Sequence, residues 1–185
     1  MVTAYIALGA NLGDAAASLR QAVASINALP QCSVIKTSSL YKTAPLETLA
    51  GYEAGGDYIN AVVAVETTQP APMLLQRLQQ IEQAAGRDRP YTNAPRTLDL
   101  DLLLYGSGSI DSVSLTVPHQ RMWQRAFVLV PLAEIAPGLV NDWQLQAVRD
   151  QEIAVFDADF EQSSAQLSQG LPSILSSGLP TLKRF

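Results

Sequence analysis

Thr97-Leu98-Asp99-Leu100-Asp101-Leu102-Leu103-Leu104 alternates leucine with aspartate along its first half. Alternation with period two marks a β-strand, whose successive side chains point to opposite faces. Leu98, Leu100, Leu102 and Leu104 then share one face and are expected to pack on helices. Asp99 and Asp101 share the other, with Cα atoms about 6.6 Å apart at the rise of a strand. One face of the sheet therefore asks for helices, and the other carries charge.

The rest of the chain supplies the partners of that strand. Val2-Thr3-Ala4-Tyr5-Ile6-Ala7-Leu8 is short, apolar and β-rich, and Gly9-Ala10-Asn11-Leu12-Gly13 reads as the turn after it. Asp14 can cap a following helix, in which Leu19, Val23 and Ile26 recur at helical spacing and which Pro30 closes. Val34 to Tyr41 reads as a second strand, 43–57 as a loop rich in glycine, and Tyr58 to Glu66 as a third strand. Pro70 and Pro72 open a second helix with the apolar stripe Leu74, Leu75, Leu78, Ile81 and Ala85, ended by Gly86. A polar loop, 87–96, leads into the strand from Leu98 to Tyr105. The order β-α-β-β-α-β predicts an α+β, ferredoxin-like core with an antiparallel sheet and both helices on one face. The other face is left for something else to cover or bind. Ala126 to Ile135 reads as a further helix, the start of a C-terminal helical extension. The expected division is one main domain over 1–160 and a tail or packed extension over 161–185, where Ser, Gly and Pro accumulate.

Composition narrows the class. With 185 residues the chain is long enough for one domain with a full core. A net charge of −5 and a pI near 4.7 argue against nonspecific nucleic-acid binding. Cys32 is the only cysteine, so no internal disulfide is possible and a reducing compartment is expected. No apolar run reaches the ~18 residues of a membrane span, and the first residues lack the basic region of a signal peptide. Those readings make the cytoplasm the expected location, with no membrane partner.

Charge placement gives the first hint of chemistry. Arg77, Arg87, Arg89, Arg96, Arg121 and Arg125 cluster in the middle of an acidic chain. Arginine binds phosphate bidentately, so the cluster suggests an anion site, although solvated surface arginines look the same in a sequence. Adjacent carboxylates repel, and a strand that keeps Asp99 beside Asp101 either exposes both to water or holds a cation. Oxygen ligands suit Mg²⁺, which takes one or two carboxylates plus substrate phosphates. Arg87, Arg89 and Arg96 flank the entry to this strand, so metal ligands and phosphate ligands meet as phosphoryl transfer requires. The chain contains no P-loop motif. His119, the one histidine, cannot build a His-based zinc site, and its type alone fits a structural role as well as a catalytic one. Tyr58 and Phe127, by type alone, read as core.

Taken together, several segments resemble a known family. They are Tyr5-Ile6-Ala7-Leu8-Gly9-Ala10-Asn11-Leu12-Gly13, Ser39-Leu40-Tyr41-Lys42-Thr43-Ala44-Pro45-Leu46 and Tyr58-Ile59-Asn60-Ala61-Val62. Further on come Arg96-Thr97-Leu98-Asp99-Leu100-Asp101, Val117-Pro118-His119 and Arg125-Ala126-Phe127-Val128-Leu129-Val130-Pro131-Leu132. In this order, from about Val2 to Pro137, they are similar to the 6-hydroxymethyl-7,8-dihydropterin pyrophosphokinases of folate biosynthesis. The resemblance implies transfer of pyrophosphate from ATP to the pterin hydroxymethyl oxygen, with release of AMP.

It also implies roles for residues. Asp99 and Asp101 would hold two Mg²⁺ ions, and Arg87 and Arg96 would join them as catalytic residues. Gln79, Glu82, Arg87, Arg89, Arg96, Leu102, Thr116, His119 and Arg125 would meet ATP. Thr43, Ala44, Leu46, Tyr58, Asn60 and Phe127 would meet the pterin, with Asn60 on the ring edge and the two aromatics sandwiching the ring. A monomer is expected, with a dimer left open. One or both of the loops 43–57 and 87–96 are expected to close as lids, because activated ATP must be kept from water. The chain departs from the family pattern at Asn93, Ser114 and Gln120. A nucleotide- or metal-binding module without turnover is the competing reading. An RNA-binding module of similar topology is disfavoured by the acidic pI and the lack of an aromatic-basic strand motif.

Overall fold

A computed structural model describes residues 1–45, 56–86 and 97–160. The backbone begins with β1 (Val2–Ala10), α1 (Ala15–Asn27), β2 (Cys32–Thr37), β3 (Leu40–Thr43), β4 (Tyr58–Thr67), α2 (Ala71–Ala84) and β5 (Asp99–Tyr105). A small hairpin follows, β6 (Ile110–Asp111) and β7 (Thr116–Val117), then α3 (Ala126–Ile135), α4 (Asp142–Ala147) and β8 (Ala154–Asp157). The main sheet is antiparallel throughout, in the order β5-β1-β4-β3-β8, with β2 also pairing β4. The expected class, helices on an antiparallel sheet, is what folds.

Local chemistry accounts for the helices. The Asp14 carboxylate accepts the Ala17 N–H at 2.9 Å and so satisfies a donor of the first turn of α1. Pro72 stands in the first turn of α2, where a missing N–H costs nothing. Gly86 follows α2 with φ +80°, a conformation in which a side chain would be strained.

Two cores form, one on each face of the sheet. On the first, Ile6, Leu8, Val63, Leu100 and Leu102 pack against Leu19, Val23 and Ile26 of α1 and Leu74 and Leu78 of α2. On the second, Ala7, Val62, Ala64 and Leu103 pack against Val128, Leu129 and Leu132 of α3. Each fully buried aliphatic side chain contributes about 1.5–3 kcal/mol. Leu129→Ala in the second core would cost about 2–5 kcal/mol. The face left open by the sequence pattern is thus largely covered by α3, and the molecule has three layers.

Three expectations need correction. First, the leucine alternation does not run the full length of β5. Tyr5 pairs with Leu104 but Ile6 with Leu102, so Leu103 is an extra residue in the ladder. That bulge switches faces, and Leu103 and Leu104 both join the α3 core rather than the α1/α2 core. Second, the strand expected from Val34 to Tyr41 is broken at Ser38–Ser39 into β2 and β3. Third, the extension past α3 is not wholly helical. After α4 the chain returns as β8, whose residues Ala154 and Val155 pair with Lys42 and Tyr41. Phe160 is then fully buried in the α1/α2 core. The tail expected from 161 onward, most of the 43–57 loop and the whole 87–96 loop, the two loops read as lids, lie outside the described residues.

Candidate active site

Register places the acidic strand beside the amide residue. Gly9 of β1 pairs with Asp99 of β5 on one side and with Asn60 of β4 on the other. Directly paired residues in an antiparallel sheet point to the same face, so Asp99, Gly9 and Asn60 form one row on the α3 side. At about 4.8 Å between strands, the outer two stand about 10 Å apart. The middle position carries no side chain, so the row, termed the trough, is low at its centre.

The β4 side of this trough is polar within an apolar surround. Asn60 is buried, and its amide nitrogen donates to the Thr43 hydroxyl at 3.0 Å. That leaves the amide edge oriented rather than free to rotate. Tyr58 lies two residues before Asn60 on the same face and is half-buried. Phe127 is half-buried in the first turn of α3 at the edge of the second core. The Arg125 guanidinium stacks over its ring, 5.3 Å from the centroid. Ala44 is exposed just past Thr43, and Leu46 lies outside the described residues.

The outer edge of β5 opens on a second space. A cavity of about 330 Å³ is lined by Gln79 of α2, Asp101 and Leu102 of β5, Thr116 of the hairpin, and His119 and Arg121. The structure therefore brings together Gln79, Leu102, Thr116, His119 and Asp101 around one space. Glu82 is placed differently from Gln79. It is 1% exposed, and its carboxylate accepts the Leu100 N–H at 2.8 Å. Residues three apart on a helix differ by about 60° around its axis, enough to bury one and open the other. Glu82 satisfies a donor on the outer edge of β5 and so fixes the strand that carries both aspartates.

His119 is held by its backbone and by its ring. Its N–H donates to the Leu103 carbonyl at 2.9 Å, and its Nδ1 accepts the Arg121 N–H at 3.3 Å. An accepting Nδ1 leaves the ring proton on Nε2. Burial lowers its pKa; Asp101 opposes this, Arg125 and Arg121 reinforce it, and Asp99 opposes it. The lowered pKa favours the neutral imidazole, which, with Nδ1 accepting, offers Nε2–H as a donor.

The donor set fits Mg²⁺. Asp99 and Asp101 offer hard oxygen ligands, and among the described residues no group of three or more His, Cys, Asp or Glu gathers for another metal. A two-carboxylate site needs further oxygens from substrate or water, as Mg²⁺ sites on nucleotides do. Arg87, Arg89 and Arg96 lie outside the described residues. Reading by residue type missed Gly9, whose significance appears only when its two neighbours are known. It also left Arg121 unassigned beside His119, though the arginine cluster contained it.

A family model for 7,8-dihydro-6-hydroxymethylpterin-pyrophosphokinase (HPPK) matches residues 5–137. The chain belongs to this family. Among curated relatives, the 2-amino-4-hydroxy-6-hydroxymethyldihydropteridine pyrophosphokinase of Bacillus subtilis is 44% identical over 149 residues, covering 80% of this chain and 86% of the relative. The enzyme of the same name from Haemophilus influenzae is 46% identical over 140 residues, covering 76% of this chain and 85% of that one. Among solved structures, a Plasmodium falciparum HPPK-DHPS chain superimposes with a TM-score of 0.59 at 14% identity, covering 80% of this chain and 43% of that chain. The present chain spans less than half of that longer protein, and the likeness concerns the fold. No helix among the described residues is long and apolar enough to cross a membrane.

Proposed function

We propose that this chain transfers the pyrophosphoryl group of ATP to 6-hydroxymethyl-7,8-dihydropterin, giving the pterin diphosphate and AMP in tetrahydrofolate biosynthesis. Membership of the pyrophosphokinase family supports the reaction. The single observation that carries the assignment of sites is the Asp99–Gly9–Asn60 row. It sets a carboxylate strand between an amide-and-aromatic trough and the cavity at the edge of β5. The core, read as ferredoxin-like, supplies the sheet on which both spaces rest; its strand order and antiparallel pairing support that reading.

In this reading the pterin lies in the trough. Asn60 meets the ring edge with a donor and an acceptor, while Thr43 holds its amide and Ala44 and Leu46 add loop contacts. Tyr58 and Phe127 sandwich the ring. ATP lies in the cavity against Leu102 and Thr116, with Gln79 on its helix side, while Glu82 acts from beneath by holding the Leu100 N–H. His119, through Nε2–H, and Arg125, Arg87, Arg89 and Arg96 meet phosphate oxygens. Arg87 and Arg96 carry the charge that grows on the transferred group.

Asp99 and Asp101 would hold two Mg²⁺ ions, which supply charge neutralisation on the triphosphate and acidify a bound hydroxyl. The hydroxymethyl oxygen attacks the β-phosphorus, and the bond from that phosphorus to the bridging oxygen of the α-phosphate breaks. AMP leaves with the electron pair, and the hydroxyl proton passes to solvent. The sheet holds the two substrates in line, which lowers the entropic cost of meeting. The enzyme works in the cytoplasm as a monomer, as one domain over 1–160. Phosphorus NMR of the product tests the reaction. Two coupled resonances on the pterin product are expected, and a single phosphoryl resonance with ADP would overturn it.

A further inference from the structure

We infer that Glu134, at the far end of α3 from the site, is a positioning residue that holds the pterin-facing strand β3 in its face-switched register. The inference rests on the proposed pterin trough but concerns a residue outside it.

The register shows the switch. Thr37 of β2 pairs with Val63, and Tyr41 of β3 pairs with Asn60. Four steps on one strand oppose three on the other, so the Ser38–Leu40 stretch contains an extra residue. Thr37 faces the α1/α2 core with Val63, and Tyr41 faces the α3 side with Asn60. Without the extra residue, Thr37 and Tyr41 would share a face. The switch is what puts Thr43 within 3.0 Å of the Asn60 amide.

An extra residue frees backbone groups that the ladder cannot pair. The Ser39 N–H donates to both carboxylate oxygens of Glu134, at 3.0 and 3.1 Å, and the Ser39 hydroxyl donates to one at 2.8 Å. The Tyr41 hydroxyl donates to the other at 2.8 Å. One carboxylate thus holds the freed donor and the first side chain past the switch. Beside it, the Lys36 ammonium donates to the Ile135 carbonyl at 3.0 Å. The same helix carries Phe127 in its first turn, so this anchor sets Phe127 and Thr43 relative to one another.

Calorimetric titration of the full chain with 6-hydroxymethylpterin, and separately with Mg²⁺ and α,β-methylene ATP, tests this. Glu134→Gln is expected to weaken pterin binding about tenfold and nucleotide binding less than twofold, while amide exchange over 40–43 accelerates. Tyr41→Phe, which keeps the Ser39 bonds, is expected to give a smaller loss in the same direction, and decides the matter alone if Glu134→Gln does not fold. Loss of both ligands in equal measure, or of neither, would show Glu134 to be general support and overturn the inference. A wild type that binds no pterin would refute the trough itself. Exchange over 40–43 would then decide for Glu134, with unchanged rates in the variant overturning its role.

Discussion

Asp99 and Asn60 occupy the same row and the same face of the sheet, separated only by Gly9. The backbone conformation does not require glycine there; the space above it does. A Cβ at position 9 would stand 3.3 Å from the Asn60 amide oxygen. Gly9→Ala is therefore expected to weaken pterin binding several-fold by displacing an amide that Thr43 already holds. Stability is expected to stay within about 1 kcal/mol of wild type, because alanine is the better strand residue. Titration with pterin and a denaturant curve check both halves. Unchanged pterin affinity would mean that the trough is not the pterin site.

Asp99→Asn and Asp101→Asn each remove one charge from a repelling pair. Turnover is expected to fall by at least about a thousandfold, on the scale of losing a principal electrostatic group. Folding stability is expected to hold or rise, since the repulsion is relieved. Either variant turning over near the wild-type rate at saturating Mg²⁺ would remove the metal assignment.

Glu82 gives the opposite pattern. Glu82→Ala leaves the Leu100 N–H without its acceptor in a buried place, at a cost of about 1–3 kcal/mol. Glu82→Gln keeps an acceptor oxygen and is expected to recover most of that. Thermal unfolding of the two variants distinguishes them, and an alanine variant as stable as wild type would show that the strand edge does not depend on Glu82.

Tyr41 predicts an alkaline limit. Burial, then its hydrogen bond to Glu134 and the charge of that carboxylate, raise its pKa from 10.0 to about 12. A raised folded pKa contributes stability that is complete below the unfolded value and is lost as pH climbs through the folded one. Wild type is therefore expected to lose its advantage over Tyr41→Phe between about pH 10 and 12. Urea midpoints of both proteins across that window provide the check. A constant difference would mean that the phenol titrates normally.

Much of the fold was legible because its signals are local. Asp14, Pro72 and Gly86 mark helix ends, and the alternation through Asp101 marks a strand. The bulge at Leu103 and the switch at Ser38–Ser39 were not, because each exists only against a partner strand distant in sequence. The same holds in the site. Asp99 and Asp101 could be singled out by type and spacing, and His119 only through the family resemblance, whereas what is proposed for Gly9 and Glu134 depends on what faces them. The edge strand β8 escaped notice because four residues with no clear alternation become a strand only beside β3.

In the proposed reaction one site joins a pterin trough to a nucleotide cavity for pyrophosphoryl transfer. AMP formation from ATP and Mg²⁺, measured with and without 6-hydroxymethyl-7,8-dihydropterin, tests it most directly. AMP is expected in equal amount to the pterin consumed, and almost none without pterin. No AMP with both substrates saturating, or AMP formed at the same rate without pterin, would contradict it.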